Sequence, residues 1–540
     1  MTQIVDWISA VRAAKALKAL DLYIPVACRT MGNHREYVHN ERRSLQCGSL
    51  RCDAVAELQR VFDNGRQHAD AKAHFLDSRT GIGGQRFGYG IDDAGNDGKF
   101  VHWTSHLKSR FYAPVVAAGG AGPHATVSFA AKCKMAKKIG RSFPLTKTLV
   151  PQPQSGSRLA LSELAPGAMQ SEIRAMTTEC DRIGGINLAQ GVCDTPVPAP
   201  VEAAAIAAIV AGHNIYTRLD GITRLRNAIA EKQLRDYGVR YDPETEVMVA
   251  CGATAGLHAA AMALLNPGDE VLVFEPFYGY HVSTLKSMRI KPVLVPLAAP
   301  NWDLDTDTLR AAITPLTRAI ILNTPANPSG KVFARPEMEA IANAAREHDL
   351  FVFTDEIYEY FVYDGAKHIC LATLEGMRER TIVMSGFSKT FSVTGWRLGY
   401  VTADAKWMGA MGYFHDLTYV CAPSALQHGA AAGLEELPPA FYTQLAADHQ
   451  SKRERMLAAL RDAGMEPSVP AGAYYVLARA SRLPGETAAQ KARHLLAATG
   501  VASVAGSAFF RPGRGEDLLR FCFAKKDHDL DEACTRLRKL

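Results

Sequence analysis

The chain has 540 residues, 47% hydrophobic and 21% charged, a soluble composition with room for about three or four domains. No window approaches the roughly 18 consecutive apolar residues of a spanning helix, which excludes an integral membrane protein of that kind. The net charge of +6 is unevenly spread: residues 1–157 hold 22 Lys and Arg against 12 Asp and Glu, a balance of +10, and the remainder holds 39 against 43, a balance of −4. Asp6, Arg12, Lys15, Lys18 and Asp21 interrupt the place where a secretory leader would have its apolar run. Eleven Cys, an odd number, point to reduced thiols in a cytosolic protein rather than a disulfide framework.

In chain order, helical spacing of Ile4, Ile8, Val11, Leu17 and Leu20 predicts a helix at about 4–22, with another at about 53–62. Residues 80–125 are rich in Gly, Asp and His and carry no periodicity. His34, His39, Cys47 and Cys52 are too widely spaced for an ordinary zinc module and read as scattered polar residues. The uncharged Pro151-Gln152-Pro153-Gln154-Ser155-Gly156-Ser157 reads as a linker. Beyond it, short β-rich runs alternate with Ala-rich helical stretches: 247–252, 270–276, 319–325, 350–356, 381–387 and 397–403. Apolar runs without strict alternation indicate strands buried on both faces. The body is therefore expected to be α/β, with a mostly parallel central sheet flanked by helices. The expected division is a basic extension of unknown fold at 1–157, an arm and part of a small α+β domain at 158–210, a large domain at 211–425 and the rest of the small domain at 426–540.

Polar motifs cluster where these strands end, the edge at which open α/β sheets bind ligands. They are NTPANPSG at 323–330, TDEIYE at 354–359, SGFSKTFSVTGWRLGY at 385–400 and LLRFCFA at 518–524. In this order they resemble the hallmarks of the class I/II aminotransferases of fold type I, which depend on pyridoxal 5′-phosphate, and the likeness runs from about Ile186 to the C-terminus.

The resemblance implies a role for each position, and its physical chemistry agrees. An aldehyde cofactor needs an amine, so Lys389 would form the Schiff base and then shuttle a proton. A pyridine ring acts as electron sink while its nitrogen stays protonated, which suits the carboxylate of Asp355. Asn327 and Tyr358 would hydrogen-bond the ring's phenolic oxygen. The backbone of Ala253 and Thr254 at a helix N-terminus, with Ser388 and Arg397, would cradle the phosphate. Tyr278 resembles the aromatic that stacks on the ring, with Phe277 as its competitor. Tyr216 matches the tyrosine that reaches the partner subunit's phosphate, which implies a homodimer. Arg520 stands in an otherwise apolar strand and would clamp the substrate α-carboxylate. Gly191 matches the glycine whose backbone passes close to the substrate. One departure concerns Gly386, where many relatives carry a phosphate-binding Ser; here Ser385 precedes it.

Bacterial aspartate and prephenate enzymes usually place a Gly-Lys where this chain has Gly252-Ala253, which argues against a dicarboxylate-specific enzyme. EPFYGY at 275–280, APNWDLD at 299–305 and HDLTYVCAP at 415–423 look closest to the kynurenine, glutamine and methionine transaminase branch. The expected activity is transfer of an amino group from aromatic, sulfur-containing or other amino acids to a 2-oxo acid, in the cytoplasm. A lyase on the same frame is the enzymatic alternative. The basic leader suits nucleic acid and raises the alternative of a fused regulator, but no helix-turn-helix with base-reading residues stands out in it.

Overall fold

A computed structural model of the protein describes residues 162–165 and 172–540. The leader with its expected helices, the 151–157 linker and the His34, His39, Cys47, Cys52 array lie outside the described residues. No described helix is long and apolar enough to cross a membrane.

The chain begins with α1 (Glu172–Ile183), β1 (Ile186–Asn187), α2 (Ala199–Val210) and α3 (Thr223–Tyr237). A run of alternating elements follows: β2 (Val247–Ala250), α4 (Ala253–Leu264), β3 (Glu270–Glu275), α5 (Gly279–Ser287), β4 (Lys291–Pro296), α6 (Thr306–Ala311), β5 (Thr317–Asn323), α7 (Arg335–Glu347) and β6 (Phe351–Asp355). Next come β7 (Thr381–Gly386), β8 (Gly399–Thr402), α8 (Ala405–Tyr419), α9 (Ser424–Glu436) and the long α10 (Pro439–Asp462). The chain ends with β9 (Glu466–Pro467), β10 (Tyr475–Arg479), α11 (Ala488–Thr499), β11 (Val501–Ala502), β12 (Val504–Ala505), β13 (Leu518–Cys522) and α12 (Asp527–Leu537).

Seven strands form the large sheet in the order β2-β8-β7-β6-β5-β3-β4. Neighbours from β7 to β4 pair in parallel, while β8 is antiparallel to both β2 and β7. The sheet is covered on both sides, as its apolar strands require. Met248, Val271, Val273, Ile321 and Phe353 face one apolar cluster with α4, and Leu272, Ile320, Leu322 and Val352 face another with α7. The expectation for this sheet missed β4, whose Pro292 and Pro296 disguise a strand. It lies at the sheet edge, where a missing N–H breaks no ladder.

A smaller antiparallel sheet, β12-β13-β10-β9, is packed by α10, α11 and α12 around Val476, Phe521, Leu457 and Leu530. β1 pairs in parallel with β11 and so ties the N-terminal segment to this second layer. The expected divisions at 210/211 and 425/426 put α2 and α9 with the smaller part. In the structure Val201 of α2 and Ala430, Ala431 and Leu434 of α9 share one apolar cluster with Leu225 of α3 and Val247 of β2. Helical spacing reveals an apolar face but not which core that face meets.

Register brings the motifs together. β5, β6 and β7 are neighbours, and Asn323 lies level with Asp355 and Asp355 with Met384. The loops leaving these three strands therefore start side by side, at one edge of the sheet.

Candidate active site

That edge forms the floor of a cleft of about 270 Å³. Of the twelve residues assigned from the sequence, Gly191, Ala253, Thr254, Tyr278, Asn327, Asp355, Tyr358, Ser388, Lys389, Arg397 and Arg520 all line it. Tyr216 does not: it lies on the loop between α2 and α3 with 79% of its surface exposed. Phe277, the competitor of Tyr278, packs against the core cluster beneath α4.

The amine of Lys389 donates to the Gly191 carbonyl at 3.0 Å and lies 5.8 and 5.7 Å from the ring centres of Tyr358 and Tyr474. No described carboxylate pairs with it at ion-pair distance. Burial brings its pKa down to about 8, with Arg397 adding to the fall against the opposing pull of Cys522, Cys193 and Asp355. Gly191 has no room for a side chain, because a Cβ there would lie 1.8 Å from the Tyr475 hydroxyl. The close approach read from the sequence is therefore also an approach of protein to protein.

Asp355 is held by partners that its motif does not announce. His281 Nε2 lies 2.9 Å from Asp355 Oδ2, and Tyr278 packs edge-on against His281 at 5.2 Å. Asn323 Nδ2 donates to the Asp355 carbonyl, and Asn323 Oδ1 accepts from the Asn327 N–H at 2.7 Å. Tyr358 and Tyr475 share a 2.9 Å hydrogen bond between hydroxyls. Burial pushes the Tyr358 hydroxyl well above its ordinary pKa, so it stays protonated and able to donate. His281 and Tyr475 fall outside every recognisable motif; only the fold brings them here.

A second group of residues makes an anion cradle. Gly252, at φ 85°, turns the chain into α4, and a Cβ there would lie 2.6 Å from Arg397 Nη2. A Cβ at Gly399 would lie 2.6 Å from the Ala253 nitrogen. Glycine at both positions lets the guanidinium and the first N–H groups of α4 approach one point, with the Ser388 and Thr254 hydroxyls lining the same cleft. Gly386 adds no hydroxyl, and a side chain there would collide with Gly399. Its neighbour Ser385 points the other way, donating to Glu359 at 2.8 Å.

Arg520 is 1% exposed and has no carboxylate partner among the described residues. Its Nη1 donates to Asn327 Oδ1 at 2.9 Å and its Nη2 to the Ala189 carbonyl at 2.6 Å, while Nε has no partner. Tyr475 and Phe509 flank the guanidinium at 4.4 and 4.8 Å. A buried, uncompensated cation is costly unless an anion arrives. The donor set therefore suits pyridoxal phosphate: an anion cradle at Gly252 and Arg397, a carboxylate at Asp355, an amine at Lys389 and a second anion site at Arg520.

Comparison with known proteins agrees with this geometry. The family model for aminotransferases of class I and II matches residues 183–537. A probable N-succinyldiaminopimelate aminotransferase of Mycobacterium tuberculosis is 38% identical over 71% of this chain and 98% of its own length. The kynurenine–oxoglutarate transaminase of Dictyostelium discoideum is 32% identical over 66% of this chain and 91% of its own. The solved structure of YbdL from Escherichia coli, for which a methionine aminotransferase function is described, superposes with a TM-score of 0.68 at 30% identity, covering 71% of this chain and 100% of that one. By the family match and the site alike, this chain belongs to the class I and II aminotransferases and is a pyridoxal 5′-phosphate-dependent transaminase.

Proposed function

We propose that the enzyme moves the α-amino group of aromatic, sulfur-containing or other long-chain amino acids to a 2-oxo acid, with broad tolerance of the side chain. The observation that carries this is the lining of the cleft around Lys389, where Tyr280, Tyr475 and Ile173 add aromatic and apolar surface beside the groups that would hold the cofactor. Aromatic and apolar contacts of this kind separate similar side chains by only about 1–3 kcal/mol. The range of substrates in the relatives' names supports the same breadth.

Pyridoxal phosphate, when bound, supplies an electrophilic carbon and an electron-withdrawing ring. The chain's own residues would do the rest. Arg520 would bind the donor's α-carboxylate through its free Nε edge and fix the Cα–H bond for removal. Lys389, with its lowered pKa, would take that proton and return it to the carbon that receives the amino group. Asp355, oriented by His281, would keep the ring nitrogen protonated. Asn327 uses its Oδ1 on Arg520, leaving its Nδ2 to donate with the Tyr358 hydroxyl to the ring oxygen. Ala253, Thr254, Ser388 and Arg397 would hold the phosphate, and Tyr278 would cover the ring.

We further propose a homodimer in which Tyr216 reaches the partner's cleft. Ile215 and Tyr216 on this connection are each 79% exposed, and Val210, the last residue of α2 before it, is 76% exposed, apolar surface that a partner would cover. The test is an assay of purified holoenzyme with a panel of amino acids and either 2-oxoglutarate or pyruvate. Matched formation of a new amino acid and a new 2-oxo acid is the expected result. Release of pyruvate or ammonia without amino transfer would favour the lyase alternative.

A further inference from the structure

Two residues beyond Gly191 and three beyond Lys389, the segments that carry the carbonyl and the amine meet in a group of polar side chains. The Thr195 and Ser392 hydroxyls are hydrogen-bonded to each other, and the Ser392 hydroxyl donates to Cys193 Sγ at 3.4 Å. Cys193 Sγ also lies 3.1 Å from Thr195 Oγ1 and 3.8 Å from His449 Nε2. His449, on α10, is wholly buried, and its Nδ1 donates to the Leu445 carbonyl one turn back at 2.8 Å, which leaves Nε2 facing the sulfur. Burial pushes the Cys193 thiol up, but the bonds from His449, Ser392 and Thr195 outweigh it and bring it down to about 6. A sulfur that gives up its proton so readily is a strong acceptor for the Ser392 hydroxyl. None of these four side chains lines the cleft, so their part in the reaction is not contact with substrate.

The group joins two layers of the fold. Lys389 follows β7 of the large sheet, whereas the 191–195 segment is held to the smaller layer just beyond β13. There the Asp194 N–H donates to the Ala524 carbonyl at 3.3 Å and the Asp194 carboxylate accepts from Lys525 at 3.2 Å. The 3.0 Å bond from Lys389 to the Gly191 carbonyl therefore spans the two layers, and the contacts of Ser392 with Cys193 and Thr195 tie them a few residues away. Ser392 itself takes φ 57°, the left-handed region that favours glycine, and its N–H donates to the Lys389 carbonyl at 3.3 Å. A serine in that conformation costs stability and persists where the structure around it holds it in place. Resting on the assignment of Lys389 as the amine that captures the cofactor, we infer that Ser392, with Cys193 and Thr195, is a positioning residue for that amine. The tie holds the Gly191 carbonyl against the amine and keeps water out of the gap between the layers. Loosening it admits water, and because desolvation is the largest influence on Lys389, its pKa then rises.

Glycine separates the hydroxyl from the backbone, since Ser392→Gly relaxes the left-handed turn while removing both side-chain bonds. Pyridoxal phosphate is added to the full-length apoenzyme, its capture is followed by absorbance across pH, and denaturant unfolding is measured beside it. Ser392→Gly and Thr195→Val are expected to slow capture about tenfold at pH 7 and to move the pH at which the rate levels off from about 8 to about 9. The unfolding midpoint of Ser392→Gly should stay that of the wild type. Cys193→Ala should behave like Ser392→Gly, and Cys193→Ser, which keeps a hydrogen-bonding atom between Ser392 and His449, should capture within about threefold of the wild type. Variants whose capture levels off at the wild-type pH, whether or not they unfold more easily, would overturn the inference, because the group then serves packing alone. Lys389→Ala apoenzyme that develops the wild-type absorbance would overturn the assignment of Lys389 and the inference with it.

Discussion

Lys232 and Lys389 both carry their amines inside the protein, and the contrast between them separates a paired cation from an amine suited to the nucleophile's part we propose for it. Lys232, on α3, is 1% exposed and pairs with Glu359, which also accepts from Tyr237 and from Ser385. Burial alone would lower its pKa, but Glu359 and the surrounding groups outweigh that and hold it well above the ordinary lysine value. Lys389 meets a backbone carbonyl instead of a carboxylate, and burial prevails, bringing it to about 8. Desolvation acts on both; the partner decides which amine keeps its charge and which is free to lose it. The two sites are neighbours in sequence as well, since Ser385 serves Lys232's network and Lys389 lies four residues on.

The largest effect expected from breaking this contrast is at Lys389. Lys389→Ala should reduce amino transfer by roughly 10⁴-fold and remove the bound cofactor's visible absorbance, while the far-ultraviolet circular dichroism stays that of the wild type. Retained turnover would show that another group moves the proton. At Lys232 the loss should be in stability instead. Glu359→Gln takes the closer counter-charge from a buried ammonium and leaves it only Asp236, 3.9 Å away, and denaturant unfolding should reveal a loss of about 3 kcal/mol. Adding Lys232→Met should recover part of it, because the poorly compensated buried charge is then gone.

A third prediction concerns how the amine responds to pH. Only neutral Lys389 can attack the cofactor's carbonyl carbon, and its folded pKa of about 8 lies below the ordinary lysine value. The rate at which apoenzyme captures pyridoxal phosphate should therefore climb about tenfold per pH unit up to about 8 and then level off. A rate still climbing steeply at pH 9.5 would mean that burial has not lowered this amine.

The same contrast marks how far the sequence could be read. Lys389, Asp355, Asn327, Arg397 and Arg520 stand in contiguous motifs at strand ends, where local pattern and chemistry coincide, and all five meet in one cleft. His281 and Tyr475 were not legible, because their work depends on contacts across 74 and 117 residues of chain. Lys232 and Glu359 form an ion pair 127 residues apart, and no local spacing announces it. The fold followed the same rule: strands buried on both faces were visible as apolar runs, while β4 hid behind its prolines and α2 and α9 showed their apolar faces without showing their partners.

The smallest expected effect lies at Ser385, the residue that stands between the two lysines. Its hydroxyl donates to Glu359 Oε1 at 2.8 Å and to the Glu356 carbonyl at 3.3 Å, and it turns away from the anion cradle. Ser385→Ala removes one donor from Glu359, which keeps Lys232 and Tyr237 and has Tyr400 at 3.4 Å. The hydrogen bond to a charged acceptor contributes about 1–2 kcal/mol, and that should appear as the loss in unfolding free energy. The affinity for pyridoxal phosphate should stay within about twofold of the wild type, because no atom of the cradle changes. A markedly weakened cofactor with unchanged stability would reverse the assignment, placing the Ser385 hydroxyl on the phosphate and leaving Glu359 to be held by Lys232 and the two tyrosines alone.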